Sequence, residues 1–273
     1  MVDRRRWRFG LGLLVMCSYA TTAAAQSDEP SGKPSSGSFQ PPINLVDNDV
    51  RYASGAGVAV FAGPLQVLGV VAGAGRPFGH AEHPPWGFEA QLALLRGGGD
   101  FSAVGATSMT LVTSAGSFIV KRRMMSPGED RMLGLTLYGG PTLGFFQLGI
   151  ENDFGTAYRH YLTVGASLGA LVQLIPDRRV ELMAFVGGRS MAMAGIPEQG
   201  DPDAQPAGAF LATPEFGGNI TVHLPHDLDV NLGSMLNFMK GEDDGKQSAK
   251  VFYLGLTWRS DAGFAPIVEG PTS

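Results

Sequence analysis

Leu162, Val164, Ala166, Leu168, Ala170, Val172 and Leu174 fall at every second position of one stretch, and between them lie Thr163, Gly165, Ser167, Gly169, Leu171 and Gln173. A strand sends these two sets to opposite faces, one apolar and the other mostly small or polar. No Asp, Glu, Lys or Arg interrupts residues 161–176. At roughly 3.3 Å per residue such a strand is about 40 Å long, and tilted near 45° it projects to about 30 Å, the thickness of a hydrocarbon core. The alternation therefore predicts a strand with Leu162, Val164, Leu168 and Val172 toward lipid and Thr163, Ser167 and Gln173 toward a lumen.

The pattern recurs. Apolar series start at Phe88, Leu133, Val180, Phe210, Leu228 and Phe252, and the last row, Phe252, Leu254, Leu256 and Trp258, has an aromatic residue at each end. Glu89, Glu181, Arg189, Glu215 and Asp229 fall on the opposite faces, as does His223. A bundle of spanning helices is the competing reading, since residues 132–150 and 160–176 are nearly uncharged and Gly165 and Gly169 have a helix-packing spacing. Each carboxylate would then cost about 2.5 to 3.5 kcal/mol in the bilayer, so strands are favoured. A soluble sandwich or lipocalin-like barrel also alternates, but would turn its apolar face inward.

Connections alternate in length. Short turns fall at 126–130, 176–179 and 225–227, and longer acidic loops at 151–157, 194–207 and 239–248. Residues 52–75 are uncharged, but six glycines and Pro64 at mid-run fit two strands joined near Gly63 and Pro64 better than a spanning helix. Residues 101–124 read as one long strand, or as a hairpin turning at Ser114, Ala115 and Gly116. The simplest choice at both places predicts an all-β, antiparallel up-and-down transmembrane β-barrel of about ten strands, with eight to twelve as the range.

The N-terminus carries Arg4, Arg5, Arg6 and Arg8, an apolar segment, and Ala23-Ala24-Ala25. This is the layout of a secretory signal peptide, residues 1–25. Residues 26–50, rich in Ser, Pro and Gly at their start, are expected as a disordered periplasmic leader, 51–259 as the barrel and 260–273 as a periplasmic tail. Cys17, the only cysteine, would leave with the signal. Net charge would move from −5 to about −8, which argues against nucleic acid as a partner.

These features resemble the bacterial outer-membrane β-barrel superfamily, in particular small barrels of the OmpA or OmpW type, over roughly residues 50–259. The final strand, Val251 to Trp258, looks like that superfamily's assembly signal, although Arg259 to Ser273 follow where many members stop. The resemblance implies the cell outer membrane as location, outer-membrane lipid and the barrel assembly machinery as partners, and a monomer.

No catalytic, cofactor or metal site is expected. Glu89, Glu181, Arg189, Glu215 and Asp229 read as lumen-facing charges that pair inside a narrow barrel, or as a constriction that selects cations. A lipid-modifying enzyme would need a His, a Ser and a carboxylate at the outer rim. His160 is the candidate near that rim, and its parity turns it to lipid. His80 and His83 lack further ligands of clear spacing. Gly97-Gly98-Gly99 reads as a tight turn. Function thus reads as a structural, surface-binding or narrow-pore barrel, with a cation-preferring channel as the runner-up.

Overall fold

The computed structural model describes residues 51–78, 85–99, 108–126, 133–152, 155–177, 179–196, 208–240 and 246–260. Ten strands occupy them: β1 (Arg51–Ala62), β2 (Leu65–Phe78), β3 (Trp86–Gly99), β4 (Ser108–Met125), β5 (Leu133–Asn152), β6 (Gly155–Asp177), β7 (Val180–Ile196), β8 (Gly208–Leu224), β9 (Leu228–Lys240) and β10 (Lys246–Ser260). Each pairs antiparallel with the next, and β1 pairs with β10, so the sheet closes on itself and every strand has two neighbours. Among the described residues there is no helix. The expected signal peptide and leader lie outside the described residues, as does the expected C-terminal tail apart from Ser260, which ends β10.

The two-residue period sets the inside and the outside. Leu162, Val164 and Leu168 are exposed on the outer wall, Leu168 at 72 %, whereas Thr163, Ser167 and Gln173 are buried inside. The same holds for Leu92 and Leu94, Leu137 and Leu143, Val186, Leu232, and Leu254 with Leu256, all exposed and outward. An apolar exterior over an interior that holds Glu89, Lys121, Glu181, Arg189, Glu215 and Asp229 is the reverse of a soluble barrel, and the lipocalin-like reading falls on it.

Residues 52–75 form β1 and β2 around a two-residue turn in which Gly63 has a φ of 57°. That value favours glycine, which explains why this turn carries one. Residues 108–125 run unbroken as β4, with no turn at Ser114 to Gly116. Two expectations are corrected. The acidic stretch 151–157 is mostly strand, with Glu151 opposite Thr156 and Asn152 opposite Gly155. Ladder pairing there keeps the backbone groups satisfied where a loop was expected. Gly97, Gly98 and Gly99 belong to β3 rather than to a turn. A Cβ at Gly97 would strike the Gln66 carbonyl and one at Gly99 the Pro64 carbonyl, so small residues are needed for close approach of neighbouring backbones.

Register fixes the shape. Pairs followed once around from Tyr52, through Gly75, Glu89, Ile119 and onward, return to β1 about 12 residues displaced, which tilts ten strands by roughly 40°. Both chain ends of the barrel and the tight turns at 177–180 and 224–228 share one rim, which marks it as periplasmic. At the other rim the strands end unevenly: β6 has 23 residues and β5 has 20, against 12 in β1 and 13 in β9. The β5–β6 hairpin therefore stands above the β1–β2 turn by on the order of 20 Å.

Ladders are irregular near the periplasmic rim, between Arg123 and Met125 in β4–β5 and between Leu174 and Asp177 in β6–β7, and one gap lies higher. Between β4 and β5 pairing passes from Ser117↔Thr142 directly to Val120↔Gly139, with Pro141, which has no N–H to donate, in between.

The barrel interior as candidate functional site

Every charged side chain expected in the lumen is inside and buried: Glu89, Glu181, Arg189, Glu215 and Asp229. They do not form one cluster. Near the periplasmic end of β3, the Glu89 carboxylate accepts hydrogen bonds from the Tyr52 hydroxyl and the Gln91 amide. The Lys121 ammonium sits 3.2 Å from Glu89 Oε2 and donates to the Tyr52 hydroxyl at 3.0 Å. A fully buried charge persists only with such compensation, and here β1, β3 and β4 each contribute to it. Sequence reasoning misses Lys121 and Tyr52. The run Lys121-Arg122-Arg123 carries the signal, because period two sends Lys121 and Arg123 inward and leaves Arg122 outside.

Midway up, Arg189 Nη2 lies 3.6 Å from Glu215 Oε2, joining adjacent β7 and β8. At the periplasmic mouth, Asp229 is shared by an imidazole and a guanidinium. His223 Nδ1 is 2.8 Å from Asp229 Oδ1, and Arg259 Nε is 3.0 Å from Asp229 Oδ2 in a contact too bent to count as a hydrogen bond. The other ring nitrogen of His223 faces Glu181 at 3.8 Å. A chain of neutral groups crosses the floor beside them: Thr221 donates to Asn231 Oδ1 and Asn231 Nδ2 to Thr257, both at 2.8 Å.

Glycines and aromatic rings interlock on the inner wall. The Tyr138 ring covers Gly169 and Gly187, Phe185 covers Gly217, Tyr253 covers Gly233, and Tyr52 covers Gly75, each leaving no room for a Cβ. The rings lie flat on neighbouring strands and fill the lumen without wide side chains meeting at its axis. Above them, Val58, Val60, Val67, Val71, Leu95, Ala249 and Val251 form an apolar wall from β1, β2, β3 and β10. His160 is on the outer wall, stacked on Phe145 at 5.9 Å. His80 and His83 lie outside the described residues.

A closed up-and-down barrel with an apolar outer belt, aromatic residues such as Trp86, Trp258 and Phe252 on that belt, and a charged, compensated interior is a transmembrane β-barrel of the bacterial outer-membrane class. No family model matches the chain, and no curated protein matches its sequence. Solved structures with a similar outline include the translocator domain of the autotransporter NalP from Neisseria meningitidis, 10% identical, over 77% of this chain and 87% of that one, with a TM-score of 0.47. A major outer membrane protein from Thermus thermophilus is 15% identical over 77% of this chain and 99% of its own, with a TM-score of 0.37. Ail, the attachment invasion locus protein of Yersinia pestis, is 10% identical over 79% and 100%, with a TM-score of 0.33.

Proposed function

We propose that this chain is a monomeric, non-catalytic outer-membrane barrel that does not conduct and that works through its extracellular rim, as a structural or surface-binding protein. The observation that carries this reading is the burial of inward side chains at successive heights, from Asp229 and Thr257 at the periplasmic mouth, through Glu215 and Met235, to Val60, Val67 and Ala249. A water-filled pore would leave its lining exposed. The tall β5–β6 hairpin is then the natural contact element, since a filled barrel offers no other route to function than its surface. Strand β10, closing on Trp258, is read as the segment that the barrel assembly machinery engages.

The runner-up is a narrow cation channel. It draws on buried polar atoms near the floor that have no hydrogen-bond partner among the described residues, Glu181 Oε1 and Asn219 Oδ1, which water would satisfy. Against it, Glu89, Glu215 and Asp229 each face a cation within 3.6 Å, which cancels much of the charge that would select cations. Planar-bilayer recordings on the folded full-length chain decide between them. No steps above baseline are expected. Steps whose cation preference falls on Glu181→Gln and Glu215→Gln would overturn the reading in favour of the channel.

A further inference from the structure

We propose that the outer wall of β2, β3 and β4 carries a specific seat for an anionic phospholipid of the periplasmic leaflet, with Arg76 and Arg122 holding the two phosphates of a diphosphatidylglycerol headgroup. Arg76 and Arg122 are exposed near the periplasmic ends of β2 and β4, on either side of β3. Both reach over that one strand. The Arg76 guanidinium carbon lies 5.5 Å from the centre of the Phe88 ring, and that of Arg122 lies 5.2 Å from the Trp86 ring. Register agrees, with Arg76 opposite Phe88 and Arg122 opposite Trp86.

Phe88 and Trp86 are two residues apart on β3, roughly 7 Å, and the cations held against them come from β2 on one side and β4 on the other. A guanidinium held over an aromatic ring by cation–π attraction keeps its N–H donors available to grip a phosphate by two oxygens. Among the described residues neither cation has a carboxylate in reach, and along this arc the outward neighbours are apolar: Ala74, Ala90, Phe78, Phe118 and Val120. Two such cations at headgroup depth call for an anion that belongs to the membrane itself. Above the pair, the outward residues Ala72, Ala74 and Ala90, with Ala53 and Gly55 of β1, are all small and lie beside the stacked Phe88 and Phe118 rings, which leaves a low apolar surface for acyl chains.

The test uses the full-length barrel in nanodiscs of phosphatidylcholine with a minor fraction of diphosphatidylglycerol or phosphatidylglycerol. The readout is the lipid retained on the protein after transfer to detergent, by native mass spectrometry. Diphosphatidylglycerol should be retained in preference to phosphatidylglycerol, and the double variant Arg76→Gln, Arg122→Gln should reduce its retention roughly tenfold. Lysine at both positions should restore only part of it, because the charge returns without the planar fork. Arg96→Gln, at the opposite end of β3, should change nothing. Should the glutamine variants fold poorly, retention by the wild-type chain across a salt series serves instead, and a flat response overturns the proposal. Equal retention of the two lipids, unchanged retention in a folded double variant, or a protein dimer closing over this wall regardless of lipid would each overturn it too.

Discussion

The upper wall of the interior and its floor are built from the same ten-strand lattice yet solve burial in opposite ways. In the wall, Val58, Val60, Val67, Val71, Leu95 and Val251 exclude water by having nothing to hydrate. On the floor, Glu181, His223, Asp229, Asn231, Thr257 and Arg259 are kept inside by partners on adjacent strands. The wall tolerates changes of shape within limits set by packing, whereas each floor residue depends on another residue being present. One lumen thus contains a region whose energy is spread over many small contacts and a region where it is concentrated in few.

The largest effect is expected where compensation is most complete. Lys121→Met should destabilise the barrel by about 3 to 5 kcal/mol, because it strands the Glu89 carboxylate, and adding Glu89→Gln should recover much of the loss. Urea unfolding in detergent micelles measures both. If the single and double variants lose the same stability, the pair is not the compensating unit. Next in size is the contrast across the thickness of the wall. Leu168→Arg, facing lipid near mid-height, should cost about 2 to 4 kcal/mol. Ser167→Arg should cost about 1 to 3 kcal/mol by overpacking. The folded fraction by heat-modifiable gel shift reads the order of the two.

Smaller still is Val67→Thr, which keeps the shape but buries a hydroxyl where the wall offers few acceptors. About 1 to 3 kcal/mol is expected by the same unfolding measurement, and a neutral result would mean that water reaches the wall. Smallest should be His223→Gln at the partly open mouth, about 0.5 to 1.5 kcal/mol, since one hydrogen bond to Asp229 is lost while Arg259 remains.

The same contrast decides what is legible in the sequence. In β7, β8 and β9 the inward residues include Glu181, Glu215 and Asp229, so alternation against apolar outward residues is unmistakable and their placement inside can be read directly. In β1 and β2 both faces are apolar or small, as Val58 and Val60 inside and Leu68 and Val70 outside show. Period two then leaves no trace in polarity, and only glycine and proline argue against a spanning helix. Ion-pair partners are the least legible part. Glu89 meets Tyr52 and Lys121 across sequence separations of 37 and 32 residues, set by register, and no local pattern encodes register. The glycine positions are visible, but which ring covers which glycine follows only once strands are aligned.

The uneven upper rim has a consequence for how a cell displaying this barrel is seen from outside. Near β1 and β2 the chain turns back lower, closer to the bilayer, where surface glycolipids would screen it from antibodies, proteases and phage. The β5–β6 hairpin rises clear of that level, with Tyr158 exposed near its tip. Among the described residues, recognition by large molecules would accordingly favour this hairpin over the β1–β2 turn. Sequence drift under immune or phage pressure would be greater at this hairpin than at the β1–β2 turn, which answers more to lipid.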